Sequence, residues 1–215
     1  MNSKGLEGLT GCTVTPKSLD SFTVFADLVV KWTRRINLVS RSSVDSVWTR
    51  HIADSAQLFR HVPGTARRFV DLGSGGGFPG LVIAILAQQE RPDSRTILVE
   101  SDQRKAAFLR EAVRLTGVAA EVICARAEEV APQGADVVSA RALSPLPDLL
   151  AFVARHLADE GVAILPKGAA YQSELDAACV DWTFDAEVFP SQTDRAARIL
   201  RLRHLTRRIG STSPT

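Results

Sequence analysis

The feature that most constrains the fold is an alternation of short β-branched runs with helical periods between residues 67 and 166. Because strands that alternate with helices are joined by crossovers, this pattern predicts a parallel, doubly wound α/β sheet. The predicted strands are 67–72, 95–100, 120–125, 135–140 and 161–166, and the predicted helices between them are 79–89, 103–116 and 145–159. Two later runs, 182–189 and 197–205, have no helix between them. They predict a closing hairpin that adds an antiparallel strand to the sheet.

Two helices are predicted before the first strand. Residues 18–36 carry an apolar stripe whose members recur every three or four positions, namely Phe22, Phe25, Val29, Trp32 and Ile36. A second stripe covers residues 42–60, and the pattern from Ser42 to Asp45 resembles a capping box at its start.

Length and apolar content indicate how the chain is organised. With 215 residues, of which 45% are hydrophobic, it can form one sizeable core and an appendage. We therefore predict an N-terminal helical extension (1–64), a main domain (65–207) and a disordered tail (208–215).

Composition argues against export, a membrane span and a bound metal. The three cysteines are far apart and have neither disulfide nor metal-ligand spacing. The longest apolar run, from Leu81 to Ala87, is too short to cross a bilayer, and the first residues lack the apolar segment of a signal peptide. We expect a cytoplasmic, monomeric protein that binds no metal.

A glycine-rich turn, VDLGSGGGFPG from Val70 to Gly80, joins the first predicted strand to a helix. Such a junction lies at the carboxyl end of the sheet, where ligands bind and where glycine lets the backbone approach them closely. The letters from Gly75 to Gly80 satisfy G-x-G-x-x-G, so a nicotinamide dinucleotide is one interpretation. Asp71, two residues before Gly73, and the bulky Phe78-Pro79 pair favour S-adenosylmethionine, which has a cationic amino-acid end and no phosphate.

Later strand ends supply further candidate cofactor contacts. Glu100 ends the second strand, where a carboxylate can accept hydrogen bonds from ribose hydroxyls in either cofactor class. Ala127 and Glu128 follow the third strand and can flank an adenine.

Basic residues are concentrated in two segments although the net charge is only +2. Eight Lys or Arg stand between Lys31 and Arg68 against two acids, and six Arg stand between Asp194 and Arg208 against one. These clusters favour a polyanionic partner.

Several segments point to one family when they are read in order. These are KWTRRINLVS, RHIADS, DLGSGGGFPG, LVESDQRKAAFLREAVRLTG, ARAEEV, SARALSPL and LPKG. Over roughly residues 18–205 they resemble the bacterial 16S ribosomal RNA guanine-N7 methyltransferases of the RsmG or GidB type. The resemblance implies a class I, Rossmann-like methyltransferase with a mostly parallel seven-stranded sheet and one antiparallel strand. It also implies S-adenosylmethionine as methyl donor, and one guanine in the decoding-region loop of 16S RNA, or of the small ribosomal subunit, as target.

The implied chemistry needs positioning more than proton transfer, because N7 of neutral guanine already carries a lone pair. Arg141, at the end of the fourth strand, is the candidate catalytic residue, and it can also orient the cofactor or hydrogen-bond guanine O6. Lys167 is a candidate phosphate contact. Asn37 and His51 are RNA-side candidates on the resemblance, although spacing alone favours a packed His51.

Three other functions are open at this stage. One is a methyltransferase that acts on a small molecule, and another is a nicotinamide-dependent oxidoreductase, for which no Y-x-x-x-K segment is present. The third is a noncatalytic RNA-binding module.

Overall fold

The computed structural model describes residues 2–208, which form one seven-stranded sheet. The strands are β1 (Arg68–Leu72), β2 (Arg95–Val99), β3 (Ala120–Ile123), β4 (Ala135–Ala140), β5 (Leu157–Lys167), β6 (Trp182–Pro190) and β7 (Arg198–Arg207). Their order is β3-β2-β1-β4-β5-β7-β6. The predicted tail lies outside the described residues except for Arg208, whose backbone N–H donates to the carbonyl of Asp181.

The strand directions confirm both topological predictions. β1 pairs in parallel with β2 and β4, β2 pairs in parallel with β3, and β4 pairs in parallel with β5. β7 is antiparallel to both of its neighbours, β5 and β6, so the hairpin places it between them. The carboxyl ends of β1, β2, β3, β4 and β5 therefore share one edge of the sheet, where a doubly wound fold binds its ligands.

Six α-helices of eight or more residues accompany the sheet in the described part of the chain. They are α1 (Ser3–Thr10), α2 (Pro16–Thr33), α3 (Gly80–Glu90), α4 (Gln103–Thr116), α5 (Leu146–His156) and α6 (Tyr171–Asp181). Helices α1 and α6 were not predicted because each buries only two residues and has no long apolar stripe. Caps help to define α1: the side chain of Asn2 accepts from the backbone of Gly5, and Gly11 ends the helix with a φ of 75°.

The predicted helix at 42–60 is helical but irregular. It consists of a 3₁₀ helix (Arg41–Ser46), a π-helical turn (Trp48–Ala53), a short α-helical turn (Asp54–Ala56) and a further 3₁₀ turn (Gln57–His61). The predicted capping box was wrong, since the helix begins at Arg41 and the side chain of its N-cap residue, Ser40, accepts no hydrogen bond from a helix backbone N–H. Tertiary contacts overrode the regular period, and π-helical turns often occur at functional sites.

The N-terminal helices share a hydrophobic core with the sheet. Phe22 and Phe25 of α2 are fully buried in one cluster with Phe108 of α4 and Ile164 of β5. The division at residue 64 stays a prediction. In the described part of the chain, no helix has the length and apolarity needed to span a membrane.

Candidate functional site

At three glycines of the turn after β1, a side chain would clash with other parts of the protein. A Cβ on Gly77 would lie 2.9 Å from the ring of Phe25, and one on Gly80 would lie 2.5 Å from Cβ of Asp71. At Gly73 it would lie 2.7 Å from the tip of Leu143.

Gly75 differs from its neighbours. A Cβ there would meet nothing closer than 3.7 Å, and its φ of 53° lies in the left-handed region that favours glycine. The space beside this Cβ position is open, with Oε2 of Glu100 4.0 Å away, and this open cradle has room for S-adenosylmethionine.

Asp71 lies beneath the turn and is only 1% exposed. Its Oδ1 accepts a hydrogen bond of 2.6 Å from the hydroxyl of Ser139 on β4, while the hydroxyl of Ser74 donates to its backbone carbonyl. Burial raises the pKa of its carboxyl to about 6 against the opposing effect of these hydrogen bonds. The geometry fits a residue that shapes the turn from below.

Glu100 follows β2 and joins that strand to the glycine turn. Its Oε2 accepts from the backbone N–H of Gly75 at 2.7 Å, and its Oε1 accepts from that of Asp102 at 2.8 Å. A carboxylate has about four acceptor positions, so two remain for hydroxyl groups of a ligand.

Hydrogen bonds from the end of α5 hold the segment that follows β3. Nε2 of the fully buried His156 is 2.8 Å from the carbonyl oxygen of Ala127, and Arg155 donates to the carbonyl of Val130. Ala127 is 9% exposed, whereas Glu128 is exposed and forms a loose ion pair of 3.9 Å with Arg126. Both candidate residues thus lie on the same edge of the sheet as Glu100.

A cavity of about 1110 Å³ opens beside this edge. Its walls come from the helical segment 41–61, the ends of β4 and β5, α6, and the loop 191–197 between β6 and β7. His51, Arg141 and Lys167, three residues proposed from sequence, line it together. Asn37 does not line the cavity; it is exposed and makes no side-chain hydrogen bond within residues 2–208.

Phe78 connects the glycine turn to this cavity. Its ring, 3% exposed, lies 5.0 Å from the ring of Phe25 and 5.1 Å from that of His51. The guanidinium of Arg141 lies 5.2 Å from the centre of the same ring, within cation–π range. Any contribution of Phe78 to a cofactor would therefore come from its backbone.

His51 is neutral at physiological pH. Burial, helped by the charges of Arg141 and Arg50, lowers its pKa to about 4. Its Nε2 is 2.9 Å from the hydroxyl of Ser43, and its Nδ1 is buried and has no hydrogen-bond partner among residues 2–208.

Arg141 is paired with a residue that the sequence did not single out. Its guanidinium nitrogen lies 3.7 Å from Oδ2 of Asp54. The other oxygen of Asp54 accepts hydrogen bonds from Thr193 at 2.6 Å and from Gln57 at 2.9 Å. Gln57 in turn accepts from the backbone of Gln192, so the 191–197 loop is fastened to the helical segment.

Lys167 is already neutralised by the protein. Its Nζ lies 2.7 Å from Oε2 of Glu174, and its side chain is only 10% exposed. The same Glu174 oxygen accepts from the backbone N–H of Leu146 at the start of α5. Arg50 and Arg195 of the cavity wall, in contrast, are exposed and form no ion pair within residues 2–208.

Sequence reasoning missed Asp54, Gln57 and Thr193 because their contacts join segments about 135 residues apart. The available signal was the charged RHIADS segment, which contains Asp54 but not its partner. Residues 2–208 contain no cluster of three side chains suited to a metal ion.

The strand order, the open glycine cradle and the buried glutamate after β2 define a class I S-adenosylmethionine-dependent methyltransferase. A TehB-like S-adenosylmethionine-dependent methyltransferase from Corynebacterium glutamicum has the same fold, with a TM-score of 0.58 and 14% identity over 82% of this chain and 97% of that one.

The chain belongs to the GidB family, described as rRNA small subunit methyltransferase G, whose model matches residues 18–200. This confirms the resemblance seen in the sequence. The Ribosomal RNA small subunit methyltransferase G of Cereibacter sphaeroides is 51% identical over 192 residues, which cover 89% of this chain and 93% of that protein. Its namesake from Ruegeria pomeroyi is 50% identical over 90% of this chain and 95% of that protein. The chain is therefore a methyltransferase, and S-adenosylmethionine is its cofactor.

Proposed function

We propose that the protein transfers a methyl group to N7 of one guanine in the decoding-region loop of 16S ribosomal RNA, in the cytoplasm. The observation that carries the proposal is the position of Arg141. It directly follows β4, contacts Phe78 of the glycine turn and lines the large cavity, so one residue joins the cofactor side to an acceptor side. The relatives' names supply the RNA class of the acceptor.

The residues at the carboxyl edge of the sheet hold the cofactor. The backbone at Gly73 and Gly75 borders it, Glu100 accepts from its ribose, and Ala127 with Glu128 flanks its adenine. Asp71 acts from below by fixing the turn. When bound, S-adenosylmethionine supplies a methyl group: N7 forms a bond to its carbon while the carbon–sulfur bond breaks and its electron pair passes to sulfur.

The protein needs no general base for this step, because the N7 lone pair is free in neutral guanine. What the side chains must do is place the base. Arg141 donates to O6 and leaves N7 uncovered. The neutral His51 ring, tilted against the ring of Phe78, forms the wall behind the base.

Access requires a base outside a helix. In A-form RNA the N7 edge faces a deep, narrow groove that side chains cannot enter, so the target guanine must be unpaired or extruded. Arg50 and Arg195 contact the flanking phosphates, Asn37 contacts RNA outside the cavity, and Lys167 contributes once RNA competes with Glu174.

The test is methyl transfer from labelled S-adenosylmethionine to small ribosomal subunits that lack the modification, followed by mass spectrometry of nucleosides. We expect 7-methylguanosine at one 16S position. Arg141→Ala should abolish transfer while S-adenosylmethionine still binds, and Arg114→Ala, which removes an exposed arginine of α4, should behave as wild type. Transfer to a small molecule but not to any RNA would refute the proposal.

A further inference from the structure

Arg141 and Asp54 line the cavity with hydrogen-bonding capacity that the protein leaves unused. Their closest atoms are 3.7 Å apart, which is too far for a direct hydrogen bond. Within residues 2–208, the Arg141 guanidinium donates no hydrogen bond and Oδ2 of Asp54 accepts none. Their side chains are only 23% and 24% exposed. Partly buried charged groups normally have hydrogen-bond partners, so the unused donors of Arg141 beside the unused acceptor of Asp54 point to a polar ligand that binds both.

We propose that Arg141 and Asp54 together read the target guanine, with Arg141 donating to O6 and Asp54 accepting from N1–H and the N2 amino group. This inference rests on the proposed function and names the specificity determinant of its acceptor site. The edge of guanine presents an acceptor followed by two donors, which complements an arginine beside a carboxylate.

The same pair rejects adenine, the other base that has an N7. Adenine would place its N6 amino donor against the guanidinium and its N1 acceptor against the carboxylate. Both contacts would be repulsive, and the partly buried charges would lose water without gaining a hydrogen bond. Pyrimidines have no N7 and need no discrimination at this step.

The position of the two residues agrees with the order of atoms along the base. Guanine presents N7, O6, N1 and N2 in sequence around its edge. Arg141 lies on the side of the glycine turn, over Phe78, and Asp54 lies on the side of the 191–197 loop, against Thr193. A guanine with O6 at Arg141 and N1 at Asp54 therefore directs N7 toward the turn, where the cofactor binds.

Asp54 is held in place for this task. Gln57 and Thr193 occupy its Oδ1 and leave Oδ2 for the base. As N7 forms its new bond, positive charge spreads over the guanine ring and the N1–H becomes a stronger donor. A fixed carboxylate at N1 then stabilises the transition state more than the bound base, so its loss should lower kcat as well as weaken binding.

The experiment compares guanosine with inosine, which lacks only the N2 amino group. Small subunits are reconstituted with either nucleoside at the target position, and kcat/KM for methyl transfer is measured. RNA affinity is measured separately in the presence of S-adenosylhomocysteine, when no transfer occurs. For the wild type we expect inosine to be disfavoured about tenfold, as for the loss of one specific base contact.

Asp54→Ala should react more slowly with both substrates and should no longer distinguish them. Asp54→Asn should show the same loss of discrimination. Its amide oxygen can still accept hydrogen bonds from Thr193 and Gln57, so the 191–197 loop should stay attached to the helical segment. Asp45→Ala removes an exposed carboxylate of the same helical segment and should retain the wild-type preference. S-adenosylmethionine affinity and the urea midpoint report whether each variant is folded.

An unchanged guanosine preference in folded Asp54→Ala and Asp54→Asn would overturn the inference, and so would a wild type that treats both nucleosides alike. Failure of the proposed function looks different, because the wild type would then form no 7-methylguanosine on guanosine-containing subunits.

Discussion

Gly75 and Gly80 look equivalent in the sequence motif but should fail in different ways. Gly80 is the first residue of α3, and a Cβ there would lie 2.5 Å from Cβ of Asp71 and 2.6 Å from a methyl of Leu98. Asp71 Cβ belongs to a central strand and cannot rotate away, so α3 and β1 must separate. We expect Gly80→Ala to lower the free energy of unfolding by about 2 kcal/mol, a typical cost of overpacking a core.

Gly75→Ala should instead weaken cofactor binding. Its new Cβ meets nothing closer than 3.7 Å, so the cost to stability is that of a left-handed φ of 53°, about 1 kcal/mol. The same methyl group projects into the cradle and should lower S-adenosylmethionine affinity at least tenfold, about 1.4 kcal/mol. Gly134→Ala is the matched control, since it has a φ of 56° and open surroundings at the start of β4.

The assay combines urea unfolding with calorimetric titration of S-adenosylmethionine. At an unchanged m-value, the midpoint reports stability alone. Gly80→Ala should lose stability while its affinity for S-adenosylmethionine changes only a few-fold. Gly75→Ala should lose mainly S-adenosylmethionine affinity. Gly134→Ala should lose only the stability cost of a left-handed φ. A Gly80→Ala protein as stable as wild type, or a Gly75→Ala protein that binds normally, would refute this division of the turn.

Three further outcomes follow from individual charges. The pKa of Asp71 is raised to about 6, so protonation of this carboxyl stabilises the folded protein by as much as about 3 kcal/mol below pH ~4. This stabilisation is lost as the pH rises through 6. In urea titrations over this pH range, Asp71→Asn should lose less stability than the wild type. The pKa of His51 is lowered to about 4, so as the pH falls from ~6.5 to ~4 the wild type should lose more stability than His51→Gln. Between pH ~6 and ~8 the kcat/KM profiles of the two proteins should have the same shape, and a His51-dependent inflection there would contradict this prediction. Arg50→Ala should reduce the salt slope of RNA binding by about 0.7–0.9. Lys167→Ala should reduce it by less, because RNA must displace Glu174 before it can contact this charge; equal slopes would contradict the assignment.

Local patterns predicted the sheet and its cofactor edge because these depend on neighbours in the chain. The β-branched runs predicted all seven strands, and the glycine turn with Glu100 predicted a nucleotide-type site. Helices α1 and α6 escaped prediction since they bury too few apolar residues to show a period. The helical segment 41–61 was predicted as one regular helix, but packing divided it into 3₁₀, π and α turns.

The acceptor side was decided by tertiary structure. His51, Arg141 and Lys167 were proposed from sequence, yet their environments were not: burial lowers the pKa of His51, and Lys167 pairs with Glu174. Asp54 pairs with Arg141 because the N-terminal segment packs beside the end of β4, and the hairpin of β6 and β7 returns its loop so that Thr193 also holds Asp54.

The sequence by itself determined the succession of strands along the chain, the glycine turn and the family, because periodicity and motif spacing are properties of contiguous residues. Only the tertiary structure decided which glycine faces open space, which charges are already neutralised and which remain for a ligand. Those properties depend on distances between residues far apart in the chain, such as Asp54 and Thr193, and no local pattern contains them.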